Sequence, residues 1–196
     1  RTLEKIEMEQ PKNSKSFYVI SLDIATSEDK NADNSIVCVV KYIERSDGTF
    51  SKKLVNMRSY HGKKLDVLAE EIRKLYHTKF PNAAKIVYDS RGLGDSLDRF
   101  FDKEWVDPLT GKEYPPLVVD DVPQVSSAAI KVLHPFRAVQ SLNQRIYTNL
   151  RVALEKRTIE LPVNSRIIQS KQSEIEDLSK RMTMQESAVY LETDAL

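Results

Sequence analysis

The stretch Phe17-Tyr18-Val19-Ile20-Ser21-Leu22-Asp23-Ile24-Ala25 decides how this chain is read. Its aromatic and β-branched residues form an apolar run with the composition of a strand buried on both faces. A carboxylate at the downstream end has no packing use. Burying it unpaired is costly, so Asp23 must meet water, a partner or a cation. The pattern recurs at Lys85-Ile86-Val87-Tyr88-Asp89, followed by Ser90-Arg91-Gly92-Leu93-Gly94. Two core strands that each end in aspartate predict two carboxylates at one edge of a sheet. That is a way to build a hard-cation site.

The 196 residues suffice for one full-sized domain with its own core. With 40% hydrophobic and 30% charged residues, the composition excludes a disordered chain. No apolar run approaches the roughly 20 residues of a membrane span, and no signal-peptide pattern opens the chain. No membrane partner is expected. An opening residue other than methionine is what a fragment or processed form would show. The single cysteine, Cys38, excludes an internal disulfide framework and fits a reducing compartment. Its apolar surroundings predict a buried, inert thiol. His61, His77 and His134 lie far apart with no cysteine at ligand spacing, so zinc is not predicted.

The net charge of +1 predicts no partner, but the distribution is uneven. Acids dominate from Asp89 to Asp121, and bases outnumber them from Val122 to Arg181. An acidic centre beside a basic flank suits a metal site next to a phosphate-binding surface. Solvated helix faces account for the same pattern equally well.

Along the chain, residues 1–16 read as a polar linker or tail, broken by Pro11. Residues 17–24 form the first strand and 26–34 a polar loop with Asp29 and Asp33. Strands over 35–43 and 49–60 are joined through Ser46-Asp47-Gly48, whose Asp-Gly pair marks a hairpin. Leu65, Leu68, Ile72, Leu75 and Tyr76 recur at helical spacing. Pro81-Asn82 then leads into the strand at 85–88. A short helix is expected from Gly94 to about Trp105, then a turn-rich loop at 107–111 and a strand at 117–119. A long helix over 138–157 carries Val139, Leu142, Ile146, Leu150 and Ala153 on one face. A short strand or loop at 159–162 follows, then helices over about 173–182 and from the capping box Thr183-Met184-Gln185-Glu186 onward. A three-strand antiparallel meander followed by alternating helices and parallel strands is the ribonuclease-H-like α/β topology: a mixed sheet flanked by helices.

In that topology the first and fourth strands lie side by side and parallel, which brings Asp23 and Asp89 together. Two close carboxylates repel unless a divalent cation neutralises them. Magnesium and manganese prefer such oxygen ligands. The expected third ligand is Asp194, on a helix face shared with Ser187, Tyr190 and Leu191. Asp33 and Asp121 are possible accessory ligands, whereas Asp120 reads as a loop residue. Each has a plainer reading, since a strand-end aspartate is often a turn or cap residue. Ser90 is available to cap the following helix. Gly92-Leu93-Gly94 lacks the third glycine of a dinucleotide fingerprint, and no phosphate loop of the Gly-x-x-x-x-Gly-Lys type is present. No Ser-His-Asp or Cys-His arrangement stands out.

The chain resembles the C-terminal nuclease domain of tailed-phage terminase large subunits. The residues that carry the likeness are Val19 to Ala25 with Asp33-Asn34-Ser35 downstream, Ile86 to Gly94, Pro108 to Pro116, and Glu192-Thr193-Asp194-Ala195-Leu196. The resemblance runs from Phe17 onward and implies a nuclease domain over 17–196. It implies a metal-dependent endonuclease that cuts concatemeric viral DNA during genome packaging in the host bacterial cytoplasm. The acidic triad would be Asp23, Asp89 and Asp194, holding two Mg²⁺ or Mn²⁺ ions about 4 Å apart, with Asp23 bridging. Double-stranded DNA, the terminase ATPase domain, the small terminase subunit and the portal are the implied partners. Arg91, Lys131 and Arg137 are candidate phosphate contacts, although ordinary surface charge explains each better. The other readings are a resolvase- or integrase-type nuclease of the same fold, and a non-catalytic module that docks DNA or the portal.

Overall fold

The computed structural model describes residues 15–25, 34–90, 94–119 and 128–161, all within one unit that ends at Leu161. The linker expected over 1–16 lies outside them, except that Ser16 already belongs to the first strand. The domain expected over 17–196 is followed here as far as Leu161.

The elements run in the order β1 (Ser16–Asp23), β2 (Asn34–Glu44), β3 (Phe50–His61), α1 (Leu65–Lys79), β4 (Ala83–Asp89), α2 (Gly94–Phe101), β5 (Trp105–Val106), β6 (Glu113–Tyr114), β7 (Leu117–Val119), β8 (Ile130–Phe136), α3 (Gln140–Glu155) and β9 (Ile159–Glu160). Seven of the strands form one sheet in the order β7-β8-β4-β1-β2-β3-β9. Strand β1 pairs antiparallel with β2, and β2 with β3, while β1 pairs parallel with β4 and β4 parallel with β8. This is the ribonuclease-H-like arrangement, a mixed sheet with the meander on one side and parallel strands on the other. The meander turns at Asp47-Gly48, where Gly48 takes a φ of +77° that a side chain would disfavour. The Asp47 carboxylate accepts hydrogen bonds from the Thr49 amide at 2.9 Å and the Thr49 hydroxyl at 2.6 Å.

Strict alternation along the central strands separates two faces. On one, Tyr18, Ile20 and Leu22 of β1 meet Val37 and Val39 of β2 and Ile86 and Tyr88 of β4. Helix α1 covers them with Leu68, Ala69, Ile72, Leu75 and Tyr76, and α2 adds Leu97 and Phe101. Arg73 joins the two helices: its Nη2 donates to the Phe100 carbonyl at the end of α2, and its guanidinium lies 5.7 Å from the Phe101 ring centre. On the other face Val19, Ser21, Cys38 and Val40 are only half-buried.

Three sequence expectations are corrected here. The helix expected to reach Trp105 stops at Phe101, and Trp105 instead pairs with Tyr114 across the β5–β6 hairpin. Ring stacking draws it there: Trp105, Tyr114 and His77 of α1 form one stack, with His77 and Tyr114 centres 4.4 Å apart. Strand β8 was not anticipated, because Lys131, His134 and Pro135 interrupt its apolar run. The apolar stripe of α3 does form a helix, but only Ala153 is buried, and Val139, Ile146 and Leu150 remain exposed. The expected helices beyond residue 162 lie outside the described residues.

Two side chains in this fold carry testable energetics. Between Val39 and Val40 the β2–β3 register slips, so Val55 and Asn56 of β3 both turn inward. Asn56 is thereby buried with neither amide atom hydrogen-bonded. Replacing it with isosteric leucine removes that desolvation penalty, so Asn56→Leu is expected to raise the free energy of unfolding in urea by about 1–3 kcal/mol. A loss of stability would contradict this reading. His77 is held neutral, its pKa lowered from 6.5 to about 4, first by burial and then by the charges of Arg73 and Lys112. The unfolded chain binds that proton at the ordinary pKa, so stability falls as pH drops from about 6.5 toward about 4. His77→Phe keeps the ring stack and should flatten the melting temperature between pH 6.5 and 5, measured by circular dichroism.

Candidate metal centre

Asp23 and Asp89 are the last residues of β1 and β4, the two strands at the centre of the sheet. The parallel register runs through Ile20↔Ile86, Ser21↔Val87 and Leu22↔Tyr88, so the two aspartates stand one step beyond the last pair. Paired residues on neighbouring parallel strands point to the same side, about 4.8 Å apart. Alternation puts both on the open face, since Leu22 and Tyr88 point into the core. Asp23 is exposed and Asp89 half-buried.

The chain beyond each aspartate is fixed to its outer neighbour. The Ala25 amide donates to the Ser35 hydroxyl of β2 at 3.0 Å. Beyond Asp89, the Ser90 amide and hydroxyl both donate to the Phe136 carbonyl of β8, at 2.8 and 3.2 Å. Ser90 is therefore not a helix cap, as the sequence suggested; α2 starts only at Gly94. One residue before Asp89, the Tyr88 hydroxyl donates to the Asp98 carboxylate of α2. These anchors hold the strand ends, and the sequence reading missed them. Serines immediately after Asp33-Asn34 and after Asp89 were visible, but only the pairing of β1 with β2 and β4 with β8 gives them their partners.

Like charges about 5 Å apart repel by about 1–3 kcal/mol, depending on solvent exposure. A divalent cation between them reverses the sign of that interaction, and carboxylate oxygens suit a hard ion such as Mg²⁺ or Mn²⁺. The donor chemistry of the pair therefore fits the group expected from sequence. Among the described residues no group of three or more histidines, cysteines, aspartates and glutamates comes together. Asp194, Asp33, Asp121 and Asp120 lie outside the described residues.

The other candidates divide by position. Arg137 is exposed and directly follows Phe136, which is in register with Asp89, so it stands at the same sheet edge. Lys131 is the second residue of β8, roughly 16 Å from Phe136, and is no neighbour of the pair. Arg91 lies outside the described residues. Cys38 is half-buried rather than enclosed, and burial raises its pKa, which keeps the thiol protonated. A groove of about 960 Å³ starts at Ser21 and Cys38 and runs away from the carboxylates between the sheet and α3. Its walls are mainly apolar, including Val40, Leu54 and Leu150, with Arg45, Lys52 and Lys156 also lining it. No described helix is long and apolar enough to cross a membrane.

No family model matches the chain, and no curated protein matches it. Among solved structures, it is similar to the large terminase nuclease from thermophilic phage G20c. That likeness has a TM-score of 0.49 at 14% identity and covers 83% of this chain and 72% of the other. Structures of the same phage nuclease with bound cobalt and with bound zinc each give a TM-score of 0.48 at 14% identity. They cover 81% and 85% of this chain, and 70% and 81% of theirs.

Proposed function

We propose that this chain is the nuclease part of a tailed-phage large terminase: a metal-dependent endonuclease that cuts concatemeric viral DNA during packaging. The observation that carries this reading is the placement of Asp23 and Asp89 on adjacent central strand ends, on the open face of a ribonuclease-H-like sheet. The order of sequence motifs from Val19 to Gly94 and the terminal Asp194 support the same reading. Asp23, Asp89 and Asp194 would hold two Mg²⁺ or Mn²⁺ ions, with Asp33 and Asp121 as accessory oxygen donors. Bound there, such ions supply an activated water for attack on a phosphodiester and stabilise the charge on the leaving 3′ oxygen.

The chain's own residues supply the remainder. The rigid ends of β1 and β4 hold the carboxylates in place before substrate arrives, so little reorganisation is needed during reaction. Arg137, at the same edge, would take a DNA phosphate and so position the backbone without reading sequence. The DNA is double-stranded, and the ATPase domain, small terminase subunit and portal are the partners of this reading. Its setting is the host bacterial cytoplasm.

The test is cleavage of supercoiled plasmid with Mn²⁺ by wild type, Asp23→Asn and Asp89→Asn. Wild type should nick and linearise the plasmid, and each variant should lose at least about 100-fold in rate. Undiminished cutting by both variants would overturn the assignment of the pair. A wild type inert with every divalent metal would instead favour a docking module, and preference for four-way junctions a resolvase.

A further inference from the structure

Asp23 and Asp89, two of the proposed ligands, sit at strand ends, where a chain ordinarily frays. Here neither end is loose. The antiparallel ladder of β1 and β2 stops at Asp23↔Ile36. Two residues past Asp23, the Ala25 amide is caught by a side chain instead, the hydroxyl of Ser35 at 3.0 Å. Ser35 is 4% exposed and stands on the core side with Val37 and Val39, where an alanine or valine would pack without a polar cost. On the other strand, Ser90 is 8% exposed and sends both its amide and its hydroxyl to the Phe136 carbonyl. The two serines thus act on opposite sides of the pair, Ser35 through its hydroxyl alone and Ser90 through a hydroxyl that adds to a backbone bond. One ties the exit of β1 outward to β2, the other ties the exit of β4 outward to β8.

We infer that Ser35 and Ser90 are positioning residues that set the spacing of the Asp23 and Asp89 carboxylates and thereby the affinity and size preference for a divalent ion. The inference rests on the metal reading of that pair. Neither serine touches the ion; each acts through the backbone that bears a ligand. Without the ties the two ends can move apart under their own charge repulsion, and each ligand's orientation broadens. Mg²⁺ demands near-ideal octahedral geometry, whereas Ca²⁺ accepts longer and more variable distances. Loss of a tie should therefore weaken Mg²⁺ and Mn²⁺ more than Ca²⁺. Removal of such outer contacts typically weakens metal binding by about 10–100-fold.

The experiment measures free Mn²⁺ by electron paramagnetic resonance during titration of the full chain, with Mg²⁺ and Ca²⁺ as competitors. Metal-free thermal unfolding is followed alongside. Ser35→Ala should weaken Mn²⁺ by about 10-fold and Ser90→Ala, which keeps the amide bond to Phe136, by less, both lowering the preference for Mg²⁺ over Ca²⁺, while Ser35→Thr and Ser90→Thr, which keep the hydroxyl, stay at the wild-type affinity. A purely structural serine would lower the metal-free melting temperature and leave affinity and preference unchanged. That outcome, with Asp23→Asn still losing Mn²⁺, overturns the inference and leaves the carboxylate pair standing. Threonine variants as weak as the alanine ones overturn it too, because the hydroxyl is then not responsible. If wild type takes up no Mn²⁺, or Asp23→Asn binds it as wild type does, the pair itself is wrong and the inference falls with it. Should Ser35→Ala fail to fold, Ser90→Ala and Ser90→Thr decide the matter by the same readout.

Discussion

Where β1 and β4 run side by side in parallel, with Leu22 opposite Tyr88, their final residues bring two negative charges to adjacent positions. Their mutual repulsion works against the sheet's stability. The cost, about 1–3 kcal/mol, is small beside the burial of the same two strands. Ile20, Ile86 and Tyr88 are fully enclosed, and each such side chain contributes about 1.5–3 kcal/mol through apolar burial. The core therefore holds the strands in register, and the register holds the carboxylates together. A one-residue slip would turn one aspartate to the opposite face and separate the pair.

The two faces of the sheet divide the labour. One is closed by α1 and α2 around the apolar core. The other carries the carboxylates, and among the described residues α3 buries only Ala153 against it. Asp98 shows what an acid does on the closed side: its carboxylate accepts the Tyr88 hydroxyl and fastens α2 to β4. Asp23, on the open side, is exposed to solvent. The same residue type is an internal fastener on one face and a solvent-exposed carboxylate on the other, and alternation along the strands makes the difference.

Much of this was legible in the residues themselves. The apolar runs ending in Asp23 and Asp89, and the Asp47-Gly48 turn, are strong local signals, and the element order they imply from β1 through α2 is the one observed. Strand β8 was hidden because its signal is mixed, with Lys131 and His134 exposed and Pro135 inside the strand. Trp105 misled because aromatic residues suit helices and strands alike; only its stack on His77 and Tyr114 decides between them. The adjacency of Asp23 and Asp89 at two parallel strand ends followed from the sequence, but the contacts that fix those ends did not. Ser35 and Ser90 gain their roles only from partners 10 and 46 residues away in sequence. Asp194 was reached by resemblance and position alone, and it lies outside the described residues.

The central claim is that Asp23 and Asp89 share a divalent cation. A crystal of the full chain soaked in Mn²⁺, with data collected at an energy where manganese scatters anomalously, addresses it directly. An anomalous peak is expected with carboxylate oxygens of both Asp23 and Asp89 within about 2.3 Å. Density that shows the two side chains ordered with no peak between them, or manganese bound only elsewhere, would contradict it.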